Sequence, residues 1–284
     1  METVTSDFLL KCYPKRHQWD RKGDHGRLLI VGGSRKYKGA PALAGMAALR
    51  SGVDIVTIAA PESAADVISS FSPNLIVEPL FGDYINTGNT SHLESLAEKH
   101  DAVLIGNGLG RTLMSKDAVH EFLTYLKKPC VIDADALHLI SDDKKLLRKG
   151  WVITPHSQEF FNLSGHRLYS KVEGRIKEAT RFTKEFRSTV LLKGYKDVIA
   201  EGTKVMVNST GNPFMTVGGT GDVLAGICGA FLAMGLDSMK AAGAAAYVCG
   251  SAGDLSKDEM GPGLLATDII EKIPDVLKSS GIEF

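Results

Sequence analysis

A glycine-rich stretch stands directly before an apolar segment in the last third of the chain, and one carboxylate joins the two. Residues 211–222 read GNPFMTVGGTGD, and VLAGICGAFLAMG follows. Glycine lets backbone N–H groups approach a bound anion closely, and the positive end of a helix dipole attracts the same anion. Gly218, Gly219, Thr220 and Gly221 therefore predict a cradle for a phosphoryl group at the start of a helix.

Asp222 is the carboxylate at the end of this stretch, and two interpretations fit it. Aspartate is a preferred N-cap and contributes about 1 kcal/mol to helix stability. A carboxylate beside bound phosphates can instead take a proton from an attacking hydroxyl group. We favour the general base, because capping alone needs no glycine-rich stretch before it.

Five further groups of glycine or polar residues each follow a short apolar run that predicts a strand. They are Gly32-Gly33-Ser34, Gly106-Asn107-Gly108-Leu109-Gly110, Asp133-Ala134-Asp135, Thr154-Pro155-His156 and Lys193-Gly194. Taken singly, each has a structural explanation: a GGS sequence is ordinary turn chemistry, and Asp135 can cap a helix. Because ligands bind at the carboxyl ends of strands in an open parallel sheet, we expect all five groups to meet at one crevice.

The elements that position these groups alternate between strand and helix. Continuous apolar runs predict strands covered on both faces at residues 28–31, 55–59, 102–106, 130–134, 151–154 and 189–192. Segments with helical spacing lie between them, which predicts an α/β fold with a mainly parallel sheet. Residues 197–208 then predict a late antiparallel hairpin with Gly202 in its turn. Two long apolar helices follow, at 223–234 and from 239 to about 252, and we expect residues 1–284 to form a single domain.

Composition and missing motifs narrow the function classes. The 33 basic residues balance the 33 acidic ones, so we expect neither nucleic acid nor a membrane as a partner. The four cysteines lie far apart without zinc-ligand spacing, which favours reduced thiols and a cytoplasmic protein. The sequence contains no Walker loop, no GxGxxG after the first strand and no GxSxG elbow, which disfavours two common nucleotide folds and a hydrolase.

Ordered motifs cover nearly the whole chain and carry a family resemblance. They are GRLLIVGGS at 26–34, YKGAPALAGMAALRSG, GNGLG, VIDADAL, TPHSQE, VLLKG, GNPFMTVGGTGDVLAG, GSAGD at 250–254 and TDII near 267. Together they resemble the ADP/ATP-dependent NAD(P)HX dehydratases, a ribokinase-like family that repairs hydrated nicotinamide cofactors. The resemblance implies a ribokinase-like three-layer sandwich with helices on both faces of the sheet and the late hairpin at its edge.

The resemblance also implies roles for particular residues. Those that correspond to the site for the hydrated dinucleotide are Ala40, Gly108, His156 and Asp222, with Asp222 as the catalytic base. Those that correspond to the site for the adenine nucleotide are Lys193, Gly194, Tyr195, Lys196, Asp197 and Gly221, next to the predicted cradle. Glu159 matches an acidic position that helps organise Mg²⁺ and phosphate.

Three of these residues also have a purely structural explanation. His156 can be a loop histidine satisfied by backbone groups, Glu159 a solvated residue at a helix start, and Lys193 the partner of an acid. The family pattern itself is broken at three positions. Asn107 stands where proline or another residue is common, Ser157 where glycine is common, and Thr216 where alanine is common.

The implied reaction uses Mg²⁺ and ADP or ATP to phosphorylate the ring hydroxyl of NADHX or NADPHX, after which loss of phosphate yields NADH or NADPH. An alternative is a small-molecule kinase for a sugar or vitamin alcohol that keeps its phosphorylated product. A third hypothesis is a nucleotide sensor or assembly subunit without turnover. We also expect a homo-oligomer, with a tetramer as one arrangement.

Overall fold

Ten strands form one sheet in the computed structural model, which describes residues 2–168 and 171–282. The strands are β1 (Glu2–Thr3), β2 (Arg27–Val31), β3 (Ile55–Pro61), β4 (Ile76–Leu80), β5 (Ala102–Ile105), β6 (Cys130–Ile132), β7 (Val152–Ile153), β8 (Thr189–Leu192), β9 (Asp197–Glu201) and β10 (Lys204–Asn208). Their order across the sheet is β1-β10-β9-β8-β7-β6-β5-β2-β3-β4. Every neighbouring pair is parallel except the two that β9 makes with β8 and β10. The predicted mainly parallel sheet is confirmed.

The antiparallel hairpin of β9 and β10 lies near one edge of the sheet, as the sequence predicted. Gly202 lies in its turn at φ +60°, a conformation that favours glycine because it has no Cβ. The strand β4, by contrast, was not predicted from the sequence. Glu78 and Pro79 interrupt its apolar run, and a proline suits this place because β4 pairs only with β3, at the other edge.

Eleven α-helices accompany the sheet in the described ranges. They are α1 (Ser6–Cys12), α2 (Gly39–Arg50), α3 (Glu62–Ser70), α4 (Thr90–Glu98), α5 (Leu113–Tyr125), α6 (Ala134–Leu139), α7 (Ser157–Ser164), α8 (Val172–Phe186), α9 (Thr220–Ala233), α10 (Ser238–Met260) and α11 (Ala266–Ser279). None of these helices combines the length and hydropathy needed to cross a bilayer. The helix α10 extends well beyond the predicted end near residue 252, and α9 begins three residues before its predicted start.

The sheet lies between two apolar layers, which explains why its strands read as continuous apolar runs. In β2, Leu28 and Ile30 belong to the core that contains α2, α9, α10 and α11, whereas Leu29 and Val31 belong to the core that contains α4, α5, α7 and α8. Side chains alternate between the two faces of a strand, so both faces of β2 must be apolar. The three-layer arrangement predicted from the resemblance is present.

Small residues bring α9 close to α2 and so fix where the start of α9 lies. A Cβ on Gly226 would collide with the carbonyl of Ala44, so only glycine permits this approach. Four alanines of α2 are buried as well, in a helix rich in small side chains. Close packing of this kind leaves the start of α9 little freedom to shift.

Candidate active site

The five polar strand ends lie side by side. They follow β2, β5, β6, β7 and β8, which are consecutive in the sheet order and mutually parallel. Their carboxyl ends therefore open at the same edge of the sheet. The start of α9 reaches this edge, because Asp222 contacts the loop that follows β5.

Gly219 occupies the N-cap position of α9, and Asp222 is the third residue of the helix. Gly219 has φ +97°, and a Cβ there would lie 2.6 Å from Leu43 Cδ1. No side chain makes a capping hydrogen bond at this helix start. The capping interpretation of Asp222 is therefore wrong.

Asp222 has a raised pKa. Its Oδ1 accepts a hydrogen bond of 2.6 Å from Asn107 Nδ2. Burial and the nearby charge of Asp133 raise the pKa of Asp222 to about 6, although Asn107 and Lys193 act in the opposite direction. A helix dipole favours the ionised form of a carboxylate at this position, and these two effects outweigh it. A carboxylate with a pKa near 6 is still mostly ionised at neutral pH and is a stronger base than an ordinary aspartate.

Asp133 joins three of the strand ends. It is 1% exposed, and its Oδ1 accepts hydrogen bonds from Thr154 Oγ1 at 2.7 Å and from Lys193 Nζ at 3.1 Å. Its Oδ2 accepts one from Asn107 Nδ2 at 3.1 Å. Burial lowers the pKa of Lys193, but the carboxylates of Asp133, Glu159 and Asp222 together raise it above its ordinary value. The acid that we considered as a structural partner of Lys193 is thus Asp133.

Asp135 holds the GNGLG loop and does not cap α6, whose N-cap position belongs to Asp133. Its Oδ2 accepts a hydrogen bond of 2.9 Å from Gly110 N, and its Oδ1 accepts one of 2.8 Å from Arg111 Nε. At the other end of the loop, Gly106 has φ +135°, and a Cβ there would collide with the carbonyl of Asp133. The ends of β5 and β6 therefore pack directly on each other.

His156 and Glu159 form a reciprocal cap at the start of α7. Nδ1 of His156 accepts hydrogen bonds from the backbone N–H groups of Gln158 and Glu159, at 3.1 and 3.3 Å, while Glu159 Oε2 accepts one from His156 N at 2.8 Å. The imidazole is nevertheless 54% exposed, and its Nε2 lies 3.4 Å from Glu159 Oε1. Glu159 is only 12% exposed and lies 3.8 Å from Lys193 Nζ, so it is not a solvated residue.

A cavity of about 640 Å³ opens beside these groups. Several of the site residues that sequence analysis suggested line it: His156, Lys193, Gly194, Tyr195, Asp197, Thr220 and Gly221. A Cβ on Gly221 would lie 3.4 Å from Lys193 Nζ, so these two residues lie at one corner of the cavity. Leu224 and Cys249 add apolar surface, and burial raises the pKa of the Cys249 thiol to about 12.

The other suggested residues lie outside this cavity. Ala40 and Gly108 are neighbours: a Cβ on Gly108 would lie 3.4 Å from Ala40 Cβ. Gly108 follows Asn107 in the chain, and Asn107 touches Asp222. Gly218, Gly219, Lys196, Glu159 and Asp222 also do not line the cavity. Asp222 is thus linked to the cavity through its chain neighbour Gly221 and to the Ala40–Gly108 pair through Asn107.

Sequence analysis missed Arg175, which braces the loop after β8. Its Nη2 donates hydrogen bonds to the carbonyls of Leu192 and Lys193, at 3.2 and 2.7 Å, and its Nη1 donates one to Ser157 Oγ at 3.1 Å. A Cβ on Gly194 would lie 2.5 Å from Arg175 Nη2, which explains the glycine. The sequence carries no signal for this role, because the burial of Arg175 within α8 is seen only in the structure.

Asp197 and Asp254 are two further braces around the cavity. The Asp197 carboxylate accepts hydrogen bonds from Gly194 N at 3.0 Å and Asn208 Nδ2 at 3.1 Å, and burial raises its pKa. Asp254, the last residue of the GSAGD motif, accepts from Gly211 N at 2.9 Å and Asn212 Nδ2 at 3.0 Å. Both carboxylates thus face the protein backbone and amide groups, and they fix the two loops that border the cavity.

The fold and the site together define the class of protein to which this chain belongs. The chain combines a mainly parallel sheet and an edge hairpin with a glycine-rich helix start that carries a half-buried carboxylate, and its fold is ribokinase-like. The structure is similar to that of a ribokinase-like superfamily protein from Enterococcus faecalis, with 26% identity, a TM-score of 0.86, and coverage of 99% of this chain and 96% of that one. A hydroxyethylthiazole kinase from Pyrococcus horikoshii, at 15% identity and a TM-score of 0.65 over 96% of this chain and 95% of that one, shares the fold.

Within this class, the family model described as NAD(P)H-hydrate dehydratase matches residues 28–275, and the chain belongs to that family. An ADP-dependent (S)-NAD(P)H-hydrate dehydratase from Cenarchaeum symbiosum is 37% identical over 97% of this chain and 96% of its own length. A crystal structure of the ADP/ATP-dependent NAD(P)H-hydrate dehydratase from Bacillus subtilis, co-crystallised with ATP/Mg²⁺, has 27% identity and a TM-score of 0.83, with 98% of each chain covered.

Several relatives are longer than this chain. The bifunctional NAD(P)H-hydrate repair enzyme Nnr from Methanothermobacter thermautotrophicus is 43% identical over 93% of this chain, which corresponds to 52% of that protein. The chain thus spans about half the length of the bifunctional relatives that it matches.

Proposed function

We propose that this protein dehydrates hydrated NADH and NADPH in a reaction that consumes ADP or ATP. The observation that carries the proposal is the position of Asp222, a half-buried base that follows Gly221 of the cavity and contacts Asn107, the chain neighbour of Gly108. Family membership and the names of the full-length relatives support the same activity.

The adenine nucleotide binds in the cavity in this proposal. Lys193 and Gly221 lie at one corner, where a cation and backbone N–H groups suit a phosphate. The wall formed by residues 193–197 and the apolar surface at Leu224 then hold the nucleoside. Residues 218–220 continue the N–H cradle at the positive end of α9.

The hydrated dinucleotide binds on the other side of Asp222, against Ala40 and Gly108. Tyr37 and Ala40 leave room there only for glycine at position 108, whose φ is +73°. We assign His156 to the same substrate, with its exposed imidazole ring as the contact. His156 also borders the cavity, so it lies where the two ligands meet.

The chemistry then has two stages. Asp222 accepts the proton of the ring hydroxyl while the hydroxyl oxygen attacks the terminal phosphorus of ADP or ATP, and the bond to the leaving nucleotide breaks to release AMP or ADP. The lone pair of the ring nitrogen next expels inorganic phosphate, and loss of a proton from the adjacent ring carbon restores the double bond of NADH or NADPH. No electron donor or acceptor is consumed, since the substrate differs from its product only by water.

The site offers Mg²⁺ few protein ligands. The described residues contain no cluster of three or more metal-ligating side chains. Mg²⁺ is commonly held by one or two carboxylates together with substrate phosphates, and Glu159 offers one carboxylate near Lys193. Glu159 would hold the ion, which neutralises charge on the phosphoryl group when bound.

Three further expectations belong to the proposal. They are a cytoplasmic location, a homo-oligomeric assembly and the organisation of residues 1–284 as a single domain. The four cysteines are free thiols, which suits a reducing compartment.

A spectroscopic assay tests the function. Purified protein is mixed with hydrated NADH, Mg²⁺ and either ADP or ATP, and the absorbance of regenerated NADH is followed. The proposal predicts one NADH and one inorganic phosphate for each nucleotide consumed. Accumulation of a stable phosphoester would instead identify the alternative kinase, and nucleotide binding without turnover would identify a sensor.

A further inference from the structure

Asn107 bridges two carboxylates at the centre of the site. Its side-chain nitrogen donates one hydrogen bond to Asp222 Oδ1 at 2.6 Å and another to Asp133 Oδ2 at 3.1 Å. An amide nitrogen carries two hydrogens, so both are used here. The Asn107 Oδ1 atom has no hydrogen-bond partner among the described residues. The two carboxylates alone therefore orient the amide.

The backbone of Asn107 is fixed as firmly as its side chain. Its carbonyl accepts a hydrogen bond of 2.8 Å from Gly33 N, and a Cβ on Gly32 would lie 2.6 Å from the same carbonyl oxygen. Asn107 is also 0% exposed. The amide thus comes from a rigid point at the end of β5, whereas Asp222 comes from α9 in another layer.

We propose that Asn107 is a positioning residue whose amide holds the Asp222 carboxylate in the orientation in which it accepts the proton of the substrate hydroxyl. This inference rests on the proposed function. It assigns to Asn107 a role beyond the folding of its loop. A hydrogen bond to an ionised acceptor is stronger than one between neutral groups, so the contact also favours the ionised carboxylate.

The charges around Asp222 oppose one another, so the hydrogen bond from Asn107 affects the pKa of Asp222. Three charged groups face it from other elements: Asp133 after β6, Asp135 at the start of α6, and Lys193 after β8. The two carboxylates and burial raise the pKa of Asp222, while Lys193 and the Asn107 amide lower it. Removal of the amide therefore raises the pKa further and leaves less of the base ionised at neutral pH.

Asn107→Ala tests the proposal in two ways. The carboxyl carbon of Asp222, assigned by comparison with Asp222→Asn, is titrated by NMR in the protein without ligands. The midpoint should rise by about one pH unit relative to wild type. In the dehydratase assay, the pH below which kcat/KM falls should rise by the same amount. The loss of activity in Asn107→Ala should therefore be smaller above about pH 8 than at neutral pH. If Asn107→Ala does not fold, Asn107→Ser is used, because its hydroxyl is too short to bridge both carboxylates.

Thr154→Val is the matched control. It deletes an equally buried hydrogen bond to the same neighbour, Asp133, and leaves the contact between Asn107 and Asp222 intact. Its shift of the Asp222 midpoint should be less than half of the shift in Asn107→Ala. A shift of equal size in both variants, or an unchanged midpoint in Asn107→Ala, overturns the inference.

The two hypotheses fail separately. If wild type does not regenerate NADH but the Asp222 midpoint rises in Asn107→Ala, the proposed function is wrong while the effect of Asn107 on Asp222 stands. If wild type is active and neither the midpoint nor the acid limb moves in the variant, the role of Asn107 is wrong while the proposed function stands.

Discussion

Lys193 Nζ lies 3.1 Å from Asp133 Oδ1, so a cation at the end of β8 pairs with a carboxylate at the end of β6, across β7. The Asp133 side chain is 2% exposed and that of Lys193 is 19% exposed. The pair is thus buried on the acid side and open to the cavity on the side of the ammonium group. This asymmetry would allow one lysine to serve both the fold and a phosphate of the proposed nucleotide.

Lys193→Met separates these two roles. The variant leaves a buried carboxylate without its cation, so the free energy of unfolding should fall by about 2–4 kcal/mol. Nucleotide affinity should fall by about tenfold or more, since the cation at the cavity corner is lost. Urea unfolding and calorimetry measure the two effects.

The double variant Lys193→Met/Asp133→Asn is the control. Removal of the negative charge of Asp133 should restore much of the lost stability but none of the nucleotide affinity. Normal nucleotide binding by the double variant would contradict a ligand-binding role of Lys193.

Asp222→Asn removes the proposed base and keeps the size of the side chain. Turnover should fall on the order of 100-fold to 10,000-fold, the usual contribution of a positioned base, while nucleotide affinity stays close to that of wild type. In wild type, turnover should rise with pH through about 6, because the ionised form is the active one. Survival of turnover within about tenfold of wild type would exclude the base role.

The same variant should be more stable than wild type at neutral pH. The folded-state pKa of about 6 lies above the ordinary value of 3.8, so the folded protein binds this proton more tightly than the unfolded chain does. Asp222 therefore costs stability as pH rises from about 4 to about 6, and the cost stays constant above that range. Asp222→Asn should raise the free energy of unfolding at pH 8 by about 1–3 kcal/mol, with little difference from wild type below pH 4.

Sequence reasoning located the site because each polar group follows a continuous apolar run. Such runs mark buried parallel strands, and parallel strands end at one edge of the sheet, so Asp133, His156 and Lys193 could be brought together without a structure. The pattern also revealed the hairpin, through Gly202. The edge strand β4 escaped notice because Glu78 and Pro79 break its apolar run.

Contacts between distant residues could not be found in this way. The hydrogen bond between Asn107 and Asp222 joins residues 115 positions apart, and Arg175 reaches Lys193 across 18 positions. The capping interpretation of Asp222 failed for a local reason. Gly219 turns the chain at a positive φ, so α9 begins at Thr220 and carries Asp222 inside its first turn.

Arg175→Met should loosen the wall of the nucleotide cavity. The variant leaves the carbonyls of Leu192 and Lys193 without their donor, and Arg175 is only 8% exposed, so we expect a loss of about 2–4 kcal/mol in stability. The dissociation constant for ADP should rise about tenfold, since misplacement of residues 193–197 lowers the affinity that preorganisation supplies. Ser157→Ala, which removes one of the three bonds to the same guanidinium, should cost no more than about 1.5 kcal/mol. Equal effects of the two variants on ADP affinity would contradict a bracing role for the contacts to β8.

Gly221→Val tests whether a phosphate approaches the backbone at the start of α9. The added side chain would occupy the corner of the cavity beside Lys193, because even a Cβ there lies 3.4 Å from the Nζ atom. Apart from its chain neighbours and the backbone of its own helix, that Cβ meets no other atom within 4 Å, so the variant should fold and melt close to wild type. Calorimetry should show ADP and ATP affinity reduced by at least about tenfold, since the anion can no longer reach the N–H groups.

Gly263→Val is the matched control, because a Cβ at Gly263 also meets no atom within 4 Å and Gly263 does not line the cavity. Unchanged nucleotide affinity in Gly221→Val, or an equal loss in Gly263→Val, would show that the phosphate binds elsewhere.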